Sequence, residues 1–372
     1  MKSFIHAFPG LCLITVCITS CTKDNVKKQD ESLPAREIQI SAGSSHTMVI
    51  DTGKTLWATG FNEAGQLGDG THTNKNRLTK ITDNVLSVTA GTLHTMVLKA
   101  DNTLWACGWN MYGALGDGTD TDKNKLVQVA EGVQSVSAGG RHTLIVRSDN
   151  SLWACGANDY GQLGDASFEM KNVFVKITEG VKFVSAGYSH SLVLKTDNSL
   201  WACGHNNFGQ LGNGANDVSG RLVKIADSVK AIDAGAHHTL IIKTDNTLWA
   251  CGLNYFGQLG DGTTNDRNQL VKITDGVRAV SAGHNHTMIL KTDNTLWAFG
   301  RNSSGQFGNG ANANVATPVK ITGDIKSISA GDFHTLAVKM DNTLWACGWN
   351  NNGQLGDGTT ADKNSMVPIF LP

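Results

Sequence analysis

Apolar runs of four to six residues follow one another along most of the chain, each bounded by Gly, Asn, Asp or Thr. Nowhere do apolar positions recur at the three-to-four-residue spacing of a helix. Residues 229–276 show the pattern in full. VKAIDA comes first, HTLIIK second, Asp245-Asn246 turns the chain, TLWACG is third, and a longer Gly-rich stretch leads to LVKI. Alternating Val, Ile and Leu between turn residues predicts four short β-strands. The unit returns every 48 residues, marked by His46, His94, His142, His190, His238, His286 and His334. Trp57, Trp105, Trp153, Trp201, Trp249, Trp297 and Trp345 keep the same beat, as do Asn62, Asn110, Asn158, Asn206, Asn254, Asn302 and Asn350. A fixed period of this length marks a repeat architecture, and four strands per repeat, set radially, describe a β-propeller blade. Residues 37–372 number 336, which is seven periods of 48. The prediction is an all-β, seven-bladed β-propeller with four-stranded blades. The repeats start at EIQISAG, which matches the first strand, and stop at MVPIFLP, which matches the fourth. The N- and C-terminal strands are therefore expected to meet and shut the ring, hiding sheet edges.

Residues 1–36 break the pattern. Lys2 precedes an apolar stretch from about Phe8 to Ile18, with no acid before Asp24. This reads as an export signal, too short to span a membrane. It ends in Ile18-Thr19-Ser20-Cys21, which resembles the bacterial lipobox, where small residues precede a cysteine that is lipidated. Acyl chains on Cys21 then hold the protein to a membrane. An ordinary secretory signal with an incidental cysteine is the alternative. The expected domains are a lipoprotein signal peptide over 1–20, a polar flexible tether over 21–36 and the propeller over 37–372. The expected location is a bacterial cell envelope, at the outer membrane or cell surface, and the expected state a monomer.

Composition acts mainly by exclusion. The net charge of −1 gives none of the basic footprint of a nucleic-acid binder. Cys107, Cys155, Cys203, Cys251 and Cys347 share one repeat position, where repeats one and six carry Thr59 and Phe299. Cys, Thr and Phe exchanging at one site predicts buried packing thiols, not disulfides or a metal site. Loops such as DGTTNDRN lack the spacing of a calcium loop. No nucleophile elbow, phosphate loop, HExxH or dinucleotide motif occurs. The expectation is a non-enzyme without cofactor or metal. Asp233, the only acid at its repeat position, is a thin pointer to a hydrolase site at the axis.

The recurring SAGxxHT...LWACGxNxxGQLGDG, present in all seven repeats, resembles the regulator of chromosome condensation repeat, which builds seven-bladed propellers. The WD and kelch signatures match less well. The resemblance implies either protein binding or guanine-nucleotide exchange on a small GTPase. The export signal opposes exchange. So does the strict spacing, which leaves no room for the inserted wedge hairpin that exchange members carry.

Residues present in every repeat are expected to build it. The Ala-Gly pairs suit a crowded axis, the histidines a hydrogen bond tying the strand turn, the tryptophans blade-to-blade packing, and each Asn with the Gly three residues later a side-chain-capped turn. Function is expected where repeats differ. The second and third strands form a hairpin, so the Gly-x-x-His loop entering it and the Gly-x-Asn-x-x-Gly loop leaving it share one face. The leaving loops place Phe61, Trp109, Tyr112, Tyr160, His205, Phe208, Tyr255, Phe256, Arg301 and Trp349 there. The entering loops add Leu93, Arg141, Tyr188, His237, His284 and Phe333. Trp, Tyr and Arg dominate protein-binding hot spots, so this face is the candidate binding site and a protein the expected partner. A glycan stacked on the rings and a purely structural envelope role are the alternatives. For any one residue, folding back over the Gly-rich loop competes with exposure. The opposite face carries near-identical Asp-Asn turns, which suit solvation.

Overall fold

The computed structural model describes residues Glu37–Pro372; the signal, Cys21 and tether assignments lie outside them. The described residues form seven four-stranded antiparallel sheets, each ordered first-second-third-fourth from one contiguous segment, and no helix occurs among them. Blade one comprises Gln39–Ala42, His46–Ile50, Leu56–Gly60 and Lys75–Thr82. Blade seven comprises Ile325–Ala330, His334–Lys339, Leu344–Gly348 and Lys363–Ile369.

The second strand is buried along its length, His46–Ile50 included. Neighbouring residues there face two different blades. Met48 and Ile50 pack with Val85 and Val97 of blade two, whereas Val49 packs with Leu336 and Val338 of blade seven. A strand buried on both faces reads as a continuous apolar run, not an alternation. The core is thus seven seams, not one centre. The repeating Trp belongs to them: Trp57 packs against the blade-seven cluster, Trp105 against that of blade one, and Trp249 against that of blade four.

The sequence predicts a histidine that ties its own strand turn; its ring spans the seam to the next blade instead. The backbone already closes that turn, Gly43 N donating to His46 O at 2.9 Å. The ring is left to reach across. His46 Nε2 lies 3.0 Å from Thr95 Oγ1 of blade two, and the contact recurs at every seam, ending with His334 Nε2 and Thr47 Oγ1 at 3.0 Å. Thr95 Oγ1 itself donates to Gln66 O at 2.8 Å, so it accepts from His46, which assigns the proton to Nε2. Burial pushes His46, His142, His238 and His286 down to about 3 and His94 and His334 down to about 4, so the whole ring is neutral. The imidazole leaves room for nothing else beside it. A Cβ on Gly91 would lie 2.6 Å from His94 Cε1 and 2.6 Å from Gly139 O of the next blade, which is why small residues crowd the axis.

A second circle runs nearer the axis. Ser41 Oγ accepts from Ala90 N at 2.9 Å, and the pattern continues through Ser329 Oγ and Ala42 N at 2.9 Å. Asp233 is a member of it. Its Oδ2 accepts from Ala282 N at 2.7 Å and its Oδ1 from Ser185 Oγ at 3.1 Å.

The chain ends close the ring by stacking, each in its own sheet. Ile38 packs with Leu336, Leu344 and Ile369, and Glu37 pairs with Lys326 at 2.9 Å. Arg77 bridges to Asp357 as Asp69 does to Lys125 at the next seam. The Asp-Asn turns do more than meet solvent. Asn246, with φ 64°, offers its carbonyl to Val277 N of the next blade at 2.9 Å. The five cysteines are buried and unpaired, Cys107 Sγ donating to Gln66 O at 3.4 Å.

Candidate interaction face

The entering and leaving loops are joined by backbone bonds, Trp109 N to Leu93 O at 2.9 Å and Trp349 N to Phe333 O at 2.9 Å. Each leaving loop is stiffened from within. Asn254 Oδ1 accepts from Leu259 N at 3.0 Å while its Nδ2 donates to Asp261 Oδ1 at 3.0 Å. Gln258 Oε1 adds a bond to Phe256 N at 2.9 Å. These are the side-chain-capped turns that the Asn-Gly spacing predicts, and they hold the variable side chains on a rigid base.

Those side chains touch one another in a band across blades two to seven. Trp109 meets Tyr112 edge-on at 5.2 Å, and Arg141 lies over Trp109, Tyr112 and Tyr188 at 5.9, 5.3 and 5.7 Å. Tyr188 leads to His237, and His237 to His205, Phe208 and His284. His284 stacks on Phe333 at 5.7 Å, and Phe333 meets Trp349 at 6.0 Å. Arg301 lies over Phe256 and Phe333, and Tyr255 packs on Phe256. Tyr160 joins through His205 at 4.6 Å. Such contacts each contribute about 0.5–1.5 kcal/mol, enough to fix orientation.

Exposure differs along the band. Tyr255 is 71 % exposed and Tyr160 41 %, while Trp109, Tyr112, Arg141, Tyr188, Phe208, Phe256, Arg301, Phe333 and Trp349 are half-buried. His205 is buried, its Nδ1 2.6 Å from Gln210 Nε2, so it carries Tyr160 and Phe208 from beneath. Phe61 is half-buried in blade one and shares no ring contact among the described residues. At the centre of the face the axial channel opens as a cavity of about 90 Å³, lined by the Ala-Gly pairs together with Ser44, Tyr188 and Asp332. Burial raises the Asp332 carboxyl above its usual range, against the pull of His284 and a hydrogen bond from Ser44.

Residues 73–371 match the RCC1-like domain family, and residues 38–66 match the regulator of chromosome condensation (RCC1) repeat. The chain belongs to the RCC1-like family. None of the curated proteins matches it by sequence. Among solved structures, this RCC1-like ring is similar to human WBSCR16, with TM-score 0.77 and 20 % identity over 86 % of this chain and 95 % of that one. It is also similar to yeast RCC1 (Prp20) bound to Kap60, with TM-score 0.76 and 19 % identity over 95 % and 91 %. Prp20p of Saccharomyces cerevisiae, described together with its binding to Gsp1p and histones, gives TM-score 0.75 and 21 % identity over 87 % and 88 %. At these identities the likeness is one of fold.

Two features of this RCC1-like ring escape the sequence reading. Asp332 sits at the first variable position of its entering loop, where the other repeats carry Ser44, Thr92, Gly140, Tyr188, Ala236 and His284; comparing that position alone singles it out. The other is the blade-three rim. There the DGT that opens this loop in four other blades becomes DAS, within DASFEM, Ala166 and Phe168 adopt φ of 65° and 56°, and Phe168 lies over Gly220, which replaces the Asn of most other blades. Phe168, Met170 and Val173 are exposed there.

Proposed function

We propose that this chain is a non-enzymatic binding module, held at the cell envelope through a lipid on Cys21, that takes a protein on its aromatic loop face. One observation carries the reading: the variable positions of six blades form a single connected band of rings and guanidinium groups on capped, rigid loops. Rigid side chains lose little freedom on association, and Trp, Tyr and Arg are the residues that anchor protein partners. The repeated histidines and Asp233 are committed to seam bonds and so are not free for chemistry at the axis.

Nucleotide exchange, the second reading, rests on family membership and on the partner of the yeast relative. All seven blades here share one strand pattern, and no additional hairpin occurs among the described residues. This favours plain binding.

Affinity capture from an envelope extract tests the proposal, with the ring of residues 37–372 as bait. These residues contain all seven seams and close on themselves. A partner held by this bait and lost from a Trp109→Ala, Tyr112→Ala, Phe256→Ala, Trp349→Ala variant of unchanged melting temperature is the expected result. Equal capture by both would take this face out of the argument. Globomycin sensitivity of processing, and loss of membrane fractionation in Cys21→Ser, test the anchor.

A further inference from the structure

The band holds two cations without counter-charge. Arg141 Cζ stands 5.9, 5.3 and 5.7 Å from the rings of Trp109, Tyr112 and Tyr188. Arg301 Cζ stands 5.4 and 4.9 Å from those of Phe256 and Phe333. None of the ion pairs among the described residues uses either arginine, whereas Arg267 elsewhere pairs with Asp261 at 2.7 Å. Arg301 directs Nε to Ser303 Oγ at 2.8 Å, and Arg141 brings Nη2 within 3.5 Å of Tyr188 Oη. Most of the ten N–H donors of the two forks therefore remain for a partner. Three carboxylates occupy variable positions of the same loops, and none of them forms an ion pair with either arginine. Asp332 stands at the axis beside Ser44 and His284, and Glu63 and Asp159 are exposed in blades one and three without an ion pair among the described residues.

Ring contacts orient a guanidinium and leave its charge in place. A planar fork already held flat loses little freedom when it takes a carboxylate through two parallel hydrogen bonds. Arg141 enters blade three and Arg301 leaves blade six. Blades four and five lie between them on one side and blades seven, one and two on the other, so they stand on roughly opposite sides of the axial opening.

Resting on the binding-module reading, we infer that the partner is an acidic protein segment that crosses the axis and presents one carboxylate to each arginine, with apolar side chains over the rings between. The face does not suit a phosphate polymer, since two separated arginines offer only two phosphate contacts and no continuous basic track. A glycan needs flat open rings. Most rings here are half-buried, turned edge-on to neighbours or covered by a guanidinium, and the two exposed ones, Tyr255 and Tyr160, each meet another ring edge-on.

The test is a random peptide library displayed on phage and selected on the immobilised ring of residues 37–372. The expected peptides carry at least two Asp or Glu separated by apolar residues. Their affinity falls about 100-fold for the Arg141→Gln, Arg301→Gln variant and about tenfold for the corresponding double Lys variant, which keeps charge and loses the fork. Added salt weakens them. Thermal melting establishes that each variant is folded. Selected peptides that are neutral or basic, or acidic peptides that bind the double Gln variant undiminished, overturn the inference. The face reading survives that outcome if Trp109→Ala, Phe256→Ala, Trp349→Ala abolishes binding. Peptides indifferent to the alanine variant, or no selected peptide at all, overturn both.

Discussion

His237 and His238 are neighbours in sequence and opposites in use. His238 recurs in every blade, is fully buried and reaches Thr287 Oγ1 of the next blade at 3.1 Å. His237 occurs in one blade only, stands on the face, and meets Tyr188, His205, Phe208 and His284. Both are held uncharged, burial lowering His237 to about 4 and His238 to about 3. The difference lies in what constrains them. His238 must fit two blades at once and has one solution, repeated seven times. His237 answers only to its neighbours on the face, so its position is free to differ from blade to blade. In this repeat protein, construction is written as recurrence, and the face as departure from it.

Acid should break the interior first. The unfolded chain takes up protons at each imidazole below its ordinary pKa of 6.5, while the folded ring resists to about pH 3–4. The histidines' contribution to stability is therefore complete above pH 6.5 and falls as pH drops. The loss is about 1.4 kcal/mol per histidine per pH unit, on the order of 10 kcal/mol for the ring together. That matches a whole domain's stability, so circular dichroism is expected to show cooperative unfolding near pH 5. A flat profile from pH 7 to 4 would contradict the neutral ring.

Next in size is the pair itself. His238→Ala opens a cavity at a seam and removes its bridge, costing about 3 kcal/mol in a denaturant titration. His237→Ala costs under about 1 kcal/mol. Equal losses would erase the distinction.

Asp233 sharpens it further, as a departure inside a construction ring. Burial pushes its carboxyl up to about 6 from 3.8, so ionisation opposes folding above pH 6 and the penalty fades as the group protonates below it. Asp233→Ser restores the common residue, and a gain of about 1–2 kcal/mol is expected at pH 8, allowing for partial solvent screening. At pH 4 the gain should be nil.

The smallest effect is chemical. Burial pushes the Cys203 and Cys251 thiols up to about 12. In the ring of residues 37–372 the five thiols should ignore a disulfide reagent while folded and react together in denaturant. A thiol that reacts in the native state would mark an open seam.

The blades were legible from the sequence because turn residues and apolar runs obey one local rule seven times over. The meeting of the entering and leaving loops was legible too, since a hairpin brings its two flanking loops to one edge. The partner of the histidine was not. A residue 49 positions away, Thr95 for His46, becomes a neighbour only once the blades are laid side by side, and no local pattern announces it. The closure geometry was hidden for the same reason: Ile38 and Ile369 meet through packing, and chain order alone does not say whether ends that meet will share a sheet. Nor did the sequence separate the buried His205 from the open Tyr255, because both occupy variable loop positions and only their neighbours differ.

No blade borrows a strand from another, and the junction of blade seven with blade one repeats the histidine bond, the first-strand bond and the rim bridge found at other seams. The circle therefore has no privileged beginning. A gene rearranged to join Pro372 to Glu37 through a short linker, and to open between Glu179 and Gly180 instead, should encode the same wheel, read from a different spoke.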